Sequence, residues 1–165
     1  MTKSIVALVL LCGSVSFVTA EECGGSGDTI VLQSQRQVDN FKNDYGDCKS
    51  VSYLDIDSGE DITNLDGLSE IEEIVDLNIL SNARLETIEG LSSLKNLQDL
   101  YIYDNASLRE VNLPALQKLG LPENNVGFGI TENTNPSMER WRFPALLQSG
   151  PLNAETTLTA RPSLT

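Results

Sequence analysis

The apolar residues of this chain recur with a period of 23 residues. Three sets of aliphatic positions share that spacing: Leu54, Leu77 and Leu100; Ile56, Ile79 and Ile102; and Ile62, Leu85 and Leu108. Each Leu-x-Ile alternation predicts a short strand with both apolar side chains on one face. One 23-residue unit buries too little apolar surface to offset its conformational entropy, so it must stack on its neighbours. The period therefore predicts a β-rich solenoid over residues 51–147, with the strands paired in a parallel sheet.

A fourth, looser copy of the repeat follows the third. Phe128 and Ile130 take the strand positions of Leu100 and Ile102 at a spacing of 28. The phrase Phe-Pro-Ala-Leu at 143–146 instead follows Leu-Pro-Ala-Leu at 113–116 with a spacing of 30. We therefore expect about two inserted residues after Ile130.

Residues 21–50 have the pattern of an N-terminal capping unit. Residues 29–32 predict a strand, and Ser34-Gln-Arg-Gln37 is a capping-box sequence that opens a helix. Val38, Phe41 and Tyr45 then fall on one face of that helix. Residues 148–165 are rich in Thr, Ser and Pro and predict a flexible tail.

The first 20 residues predict a secretory signal peptide. Lys3 is followed by a short apolar run and by small residues that end at Ala20. A membrane anchor is the alternative, but the apolar run is shorter than the ~20 residues that a span needs. Removing this segment changes the net charge from −13 to −14, because it carries one lysine and no acidic residue. So acidic a chain is not expected to bind nucleic acid or anionic lipid.

Two cysteines, Cys23 and Cys48, remain after the expected cleavage. In an oxidising compartment such a pair predicts a disulfide, which contributes roughly 3 kcal/mol by the loop-entropy model. Two free buried thiols are the alternative. A zinc site lacks ligands, since the chain contains no histidine. No cofactor or metal is expected.

The order of these features resembles a receptor L-domain, a leucine-rich-repeat unit of insulin- and growth-factor-receptor ectodomains. The Pro-Ala-Leu phrases resemble the fungal branch, whose GPI-anchored members are implicated in cell-wall organisation and sporulation. The resemblance covers about residues 22–147. It implies a right-handed leucine-rich-repeat-like solenoid without catalytic residues, located at the cell surface or wall. The chain ends Thr-Ala-Arg-Pro-Ser-Leu-Thr, unlike a GPI signal, so we expect free secretion or a truncated sequence.

The residues between the inward strand positions are predicted to form columns on the outer sheet face. The columns are Tyr53, Asp76 and Asp99; Asp55, Asn78 and Tyr101; and Asp57, Leu80 and Tyr103. Rigid aromatic rings beside hydrogen-bond acceptors suit a sugar or a peptide with basic groups. We hypothesise that this face binds a cell-wall glycan or an extracellular protein. The alternative is a solvated face whose cross-strand pairs only stabilise the sheet.

Two further patterns each have a competing interpretation. The run Asp55-x-Asp57-x-Gly59-x-Asp61 resembles a calcium loop, but its glycine is at the fifth position and its aspartates fall on a strand. Asn105 begins the N-glycosylation sequon Asn-Ala-Ser. It also aligns with Asn82 as the asparagine that points inward after each strand in leucine-rich repeats, and we favour this structural role.

We expect a non-enzymatic recognition or structural protein. One alternative is a secreted polysaccharide-active enzyme, with Asp76 and Asp99 as its carboxylate pair. The other is a secreted effector that acts on another organism. Neither has a specific motif in the sequence.

Overall fold

A computed structural model of the chain describes residues 22–25, 27–120, 130–133 and 137–145, with 130–133 described by their backbone. The expected signal peptide at 1–20 and tail at 148–165 lie outside the described residues, as does Phe128. The described part is rich in strands and has few helices. None of its helices is long and apolar enough to cross a membrane.

The strands pair in parallel throughout the described residues. They are β1 (Thr29–Leu32), β2 (Ser50–Asp57), β3 (Glu73–Leu80), β4 (Asn96–Tyr103), β5 (Glu110–Asn112), β6 (Lys118–Leu119), β7 (Ile130–Asn133) and β8 (Arg140–Arg142). The larger sheet has the order β1-β2-β3-β4-β6, and β7 also pairs with β4. Strands β5 and β8 form a second, two-stranded sheet. Successive repeats therefore lie side by side.

The register of the large sheet follows the sequence period. Leu54 pairs with Leu77, which pairs with Leu100, and the isoleucines two positions later pair in the same way. All six of these side chains are fully buried. Alternation turns them to one face, where they form one core with the aliphatic residues of the returning segments. The predicted pairing of the first three copies is confirmed.

The fourth copy pairs in a different register from the one that we expected. Leu100 pairs with Ile130, and Ile102 pairs with Glu132. Leu100 and Ile130 are 30 residues apart, and the second sheet has the same spacing, since Glu110 pairs with Arg140. The expected insertion after Ile130 is therefore wrong, because the wider spacing is already present at the strand.

The capping unit contains two short helices, α1 (Gln35–Asp39) and α2 (Phe41–Tyr45), where one was expected. Asn40 separates them. Val38 and Phe41 are buried, and the Tyr45 ring packs against Phe41 with 4.8 Å between centroids. The predicted apolar face is thus kept across the break.

The start of α1 has the predicted capping-box residues. The Ser34 hydroxyl accepts a hydrogen bond from the backbone N–H of Gln37 at 3.4 Å. The Gln37 side-chain carbonyl in turn accepts from the backbone N–H of Gln33 at 2.8 Å. The two contacts link the first turn of α1 to the residue before its N-cap, as a capping box does with the N-cap itself.

A disulfide joins Cys23 and Cys48, with 5.3 Å between their Cα atoms. Both residues are buried, and the backbone N–H of Cys23 donates to the carbonyl of Ser50 at 2.8 Å. The predicted bridge is confirmed. It ties the segment before β1 to the start of β2.

Two 3-10 helices, Asp66–Leu68 and Glu89–Leu91, carry the chain between strands β2, β3 and β4. Each contains a glycine at a point of close backbone approach. A Cβ on Gly67 would lie 1.9 Å from the carbonyl oxygen of Val38, and one on Gly90 would lie 2.1 Å from that of Leu65. Only glycine lets these returning segments pack so closely.

Candidate functional site

The predicted columns of outward residues are present on strands β2, β3 and β4. Tyr53, Asp76 and Asp99 are paired across the sheet, as are Asp55, Asn78 and Tyr101, and Asp57, Leu80 and Tyr103. Partners on neighbouring strands lie about 4.8 Å apart. We call these nine residues the tyrosine–aspartate face. The structure thus brings together every residue that the sequence placed on this face.

Its tyrosines are held on a rigid support but stay open to solvent. Tyr53 is 41% exposed, and Tyr101 and Tyr103 are each 37% exposed. Their sequence neighbours Leu54 and Ile102 are fully buried. Because the backbone is fixed by buried residues and parallel pairing, a ligand would need to order little more than the tyrosine side chains.

The face carries four aspartates and no lysine or arginine. Among the residues that the structure describes, the ion pairs use Asp47, Glu70, Glu72 and Glu110 instead. Asp55 has a neutral partner, the Asn78 amide, which donates to it at 2.8 Å. The negative charge of the face is therefore not neutralised within the described chain.

Asp76 is the aspartate that this arrangement affects most. Its carboxyl is half-buried between two neighbouring strands. Burial raises the pKa of Asp76, and the charges of Asp99 and Asp55 raise it further, against a hydrogen bond from Asn78 that lowers it. The carboxylates of Asp55, Asp76 and Asp99 therefore repel one another on this face.

The calcium-like run lies on β2 and the turn after it. Asp55 and Asp57 project from the strand, as expected, whereas Asp61 accepts a hydrogen bond from the backbone N–H of Gln35 at 3.1 Å. In the described ranges, no group of three or more His, Cys, Asp or Glu side chains is arranged to hold a metal ion.

Asn105 points inward, as expected for the structural role. Its side chain is fully buried, and its amide nitrogen donates to the carbonyls of Ile79 at 2.8 Å and Tyr103 at 3.0 Å. Its amide oxygen accepts from the backbone N–H of Asn82 at 3.0 Å. The nitrogen that a glycan would occupy is therefore engaged inside the protein, which supports the structural role that we favoured.

Two apolar residues beside the face were missed from the sequence. Val31 is 42% exposed and pairs with Asp55, while Val75 is 38% exposed next to Asp76. The signal for Val75 was available, because two residues separate the inward Ile74 and Leu77 and both must turn outward. These valines extend the apolar part of the surface around the aspartates.

A charged row at the start of the strands was also missed. Lys49 and Lys95 bind the two oxygens of Glu72 at 2.6 Å and 2.5 Å. Hydrogen bonds from both lysines lower the pKa of Glu72 to about 2. The sequence contains a signal for this row, because the charged residues Lys49, Glu72 and Lys95 recur 23 positions apart. In this row positive and negative side chains alternate from strand to strand, whereas the charged side chains of the tyrosine–aspartate face are all negative.

No protein-family model, no curated protein and no solved structure matches this chain.

Proposed function

We propose that this protein is a secreted, non-enzymatic recognition or structural protein of the cell surface or wall. It is built as a right-handed leucine-rich-repeat solenoid of the receptor L-domain type. Its tyrosine–aspartate face binds a wall glycan or another extracellular protein. In this proposal it acts as a binding module and transforms no substrate.

Three features support the architecture and the compartment. Strands of successive repeats pair in parallel, and crossover connections between parallel strands are right-handed in nearly all proteins. The Cys23–Cys48 disulfide is typical of oxidising compartments. The signal-peptide pattern at 1–20 agrees with export.

One observation carries the binding proposal: three exposed tyrosines are held in register beside aspartates that have no charged partner within the described chain. Aromatic rings on a fixed backbone give a large contact area at a small entropic cost. A sheet that served only as a scaffold would gain stability from opposite charges across its strands. The face instead places Asp76 directly opposite Asp99.

The test is binding of the purified full chain to isolated cell walls and to a panel of immobilised glucan, chitin, mannan and extracellular proteins. The double substitution Tyr101→Ala and Tyr103→Ala should abolish the binding that the unchanged chain shows. Tyr45→Ala is the matched control, because it removes an equally exposed tyrosine from the capping unit. Undiminished binding by the double variant, with an unchanged far-UV spectrum, would refute the proposal.

A further inference from the structure

We infer that the partner of the tyrosine–aspartate face is an extended, arginine-rich segment of another protein. Its guanidinium groups would pair with the aspartates and stack on the tyrosines. This inference rests on the proposed function, since it names the chemistry of the ligand for the same face.

The first argument is charge. Asp55, Asp57, Asp76 and Asp99 lie on three adjacent strands, so each has a like charge within one or two strand spacings of about 4.8 Å. Like charges opposite each other destabilise a sheet. A cationic partner removes that repulsion when it binds. A neutral glycan leaves the repulsion in place, although it could stack on the rings.

The second argument is the position of the rings around the charges. Tyr53 lies at one side of the acidic pair Asp76 and Asp99, and Tyr101 lies on the far strand next to Asn78. Aspartates and tyrosines thus lie next to each other over a width of about 10 Å, two strand spacings. A guanidinium attracts both kinds of neighbour, because it binds carboxylates bidentately and stacks on aromatic rings within about 6 Å.

The third argument separates arginine from other cations. The ammonium of lysine or of an amino sugar is compact and strongly hydrated, so it pairs with carboxylates as a point charge. It gains less from the exposed tyrosine rings than the planar guanidinium does. A metal ion fits less well, since no cluster of three ligands is arranged to hold one within the described residues. The chain's net charge of −13 would also steer a basic segment toward it.

The experiment titrates the full chain with fluorescently labelled eight-residue peptides of alternating sequence. One peptide alternates arginine with serine, and the others replace arginine by lysine, by its neutral isostere citrulline, or by glutamate. A chitosan hexamer supplies an amino-sugar cation. We expect the arginine peptide to bind most tightly, the lysine peptide several-fold more weakly, and the citrulline and glutamate peptides not at all. Raising the salt to about 0.5 M should weaken the arginine complex, because exposed charges are then screened.

Protein variants then locate the binding. Asp76→Asn with Asp99→Asn should weaken the arginine peptide about tenfold. Glu86→Gln with Glu89→Gln is the matched control. It removes the same charge from exposed positions outside the face and should change binding less than about twofold. The aspartate variant should melt no lower than the parent at pH 7, because it removes repulsion and no ion pair.

Each contrary outcome overturns the inference. Equal binding of the citrulline peptide removes the role of charge, and an equal loss in the control variant moves the site off the face. Preference for the chitosan hexamer identifies an amino-sugar partner instead. Absence of arginine-peptide binding, together with tyrosine-dependent binding to cell walls, rejects the arginine segment while leaving the proposed function standing. The peptide comparison uses the unchanged chain, so it holds even if a variant misfolds.

Discussion

Replacing Asn82 by alanine removes hydrogen bonds from a fully buried side chain. The Asn82 amide nitrogen donates to the carbonyl oxygens of Ile56 at 2.8 Å and Leu80 at 2.9 Å. Its amide oxygen accepts from the backbone N–H of Gly59 at 3.1 Å. Alanine would leave three backbone groups without these partners, at about 1–3 kcal/mol each when buried. The Leu80 carbonyl still accepts from the backbone N–H of Ser58 at 3.0 Å, so the cost falls on the other two groups. We expect the free energy of unfolding to fall by about 2–6 kcal/mol, a large part of the 5–15 kcal/mol typical of a domain.

A second substitution, Asn82→Asp, separates the donor from the acceptor. The introduced carboxyl keeps an oxygen for Gly59 but offers no hydrogen to Ile56 or Leu80 while it is ionised. Burial would raise its pKa above the unfolded value, so folding favours the protonated form. The loss of stability should therefore be at least as large as for alanine at pH 7. It should shrink as the pH falls through the raised pKa.

Urea denaturation followed by far-UV circular dichroism and by the fluorescence of Trp141, the chain's single tryptophan, measures both effects. Asn96→Ala is the control, because it removes a surface hydrogen bond to Glu73 and should cost less than about 1 kcal/mol. If Asn82→Ala cost no more than Asn96→Ala, the buried asparagine would not be what satisfies these backbone groups.

Three further perturbations have distinct signatures. Serine at both Cys23 and Cys48 should lower the unfolding free energy by about 3 kcal/mol through the lost 25-residue cross-link, measured against the parent with and without reductant. Gly90→Ala should lower the melting temperature sharply, because the new Cβ would meet the Leu65 carbonyl; an unchanged melting curve would contradict that packing. Glu72→Gln should destabilise the chain above pH 4.5, and progressively less as the pH falls toward 2. Its depressed pKa adds stability above the unfolded value, and this is lost as pH falls toward the folded one; equal destabilisation at pH 2 and pH 7 would exclude the ion pairs as its cause.

The register of the first three repeats could be predicted because the inward strand positions are filled by aliphatic residues. A slip of one residue would turn these side chains outward, so the aliphatic spacing determines which residues pair. The same register fixes the outward columns. The composition of the tyrosine–aspartate face could therefore be predicted from the aliphatic period alone.

The register of the fourth repeat was not predictable from alternation alone. A shift of two residues keeps the same side chains on the same face, so apolar pattern does not distinguish Leu100–Ile130 pairing from the expected Ile102–Ile130 pairing. The later Pro-Ala-Leu phrase carried the correct spacing. The break at Asn40 was missed for a similar reason, because the helical face continues across it.

The role of Asn105 could not be decided from the sequence, because an asparagine in a sequon and an inward asparagine of the repeat are the same residue type at the same position. Burial and three-dimensional partners decide between them. The sequence also could not show whether the aspartates of the tyrosine–aspartate face have positively charged partners. Long lysine and arginine side chains can reach across several residues, and only their positions show that none in the described chain pairs with these aspartates.

The parallel pairing has a consequence for how the chain is made. Each described strand pairs with one that lies a single repeat away along the sequence, as Leu54 does with Leu77 and Leu100 with Ile130. A strand can therefore dock as soon as the next stretch of chain has left the ribosome, without waiting for a distant segment. The order of synthesis is also an order in which this sheet can be assembled, from the disulfide-linked end onward.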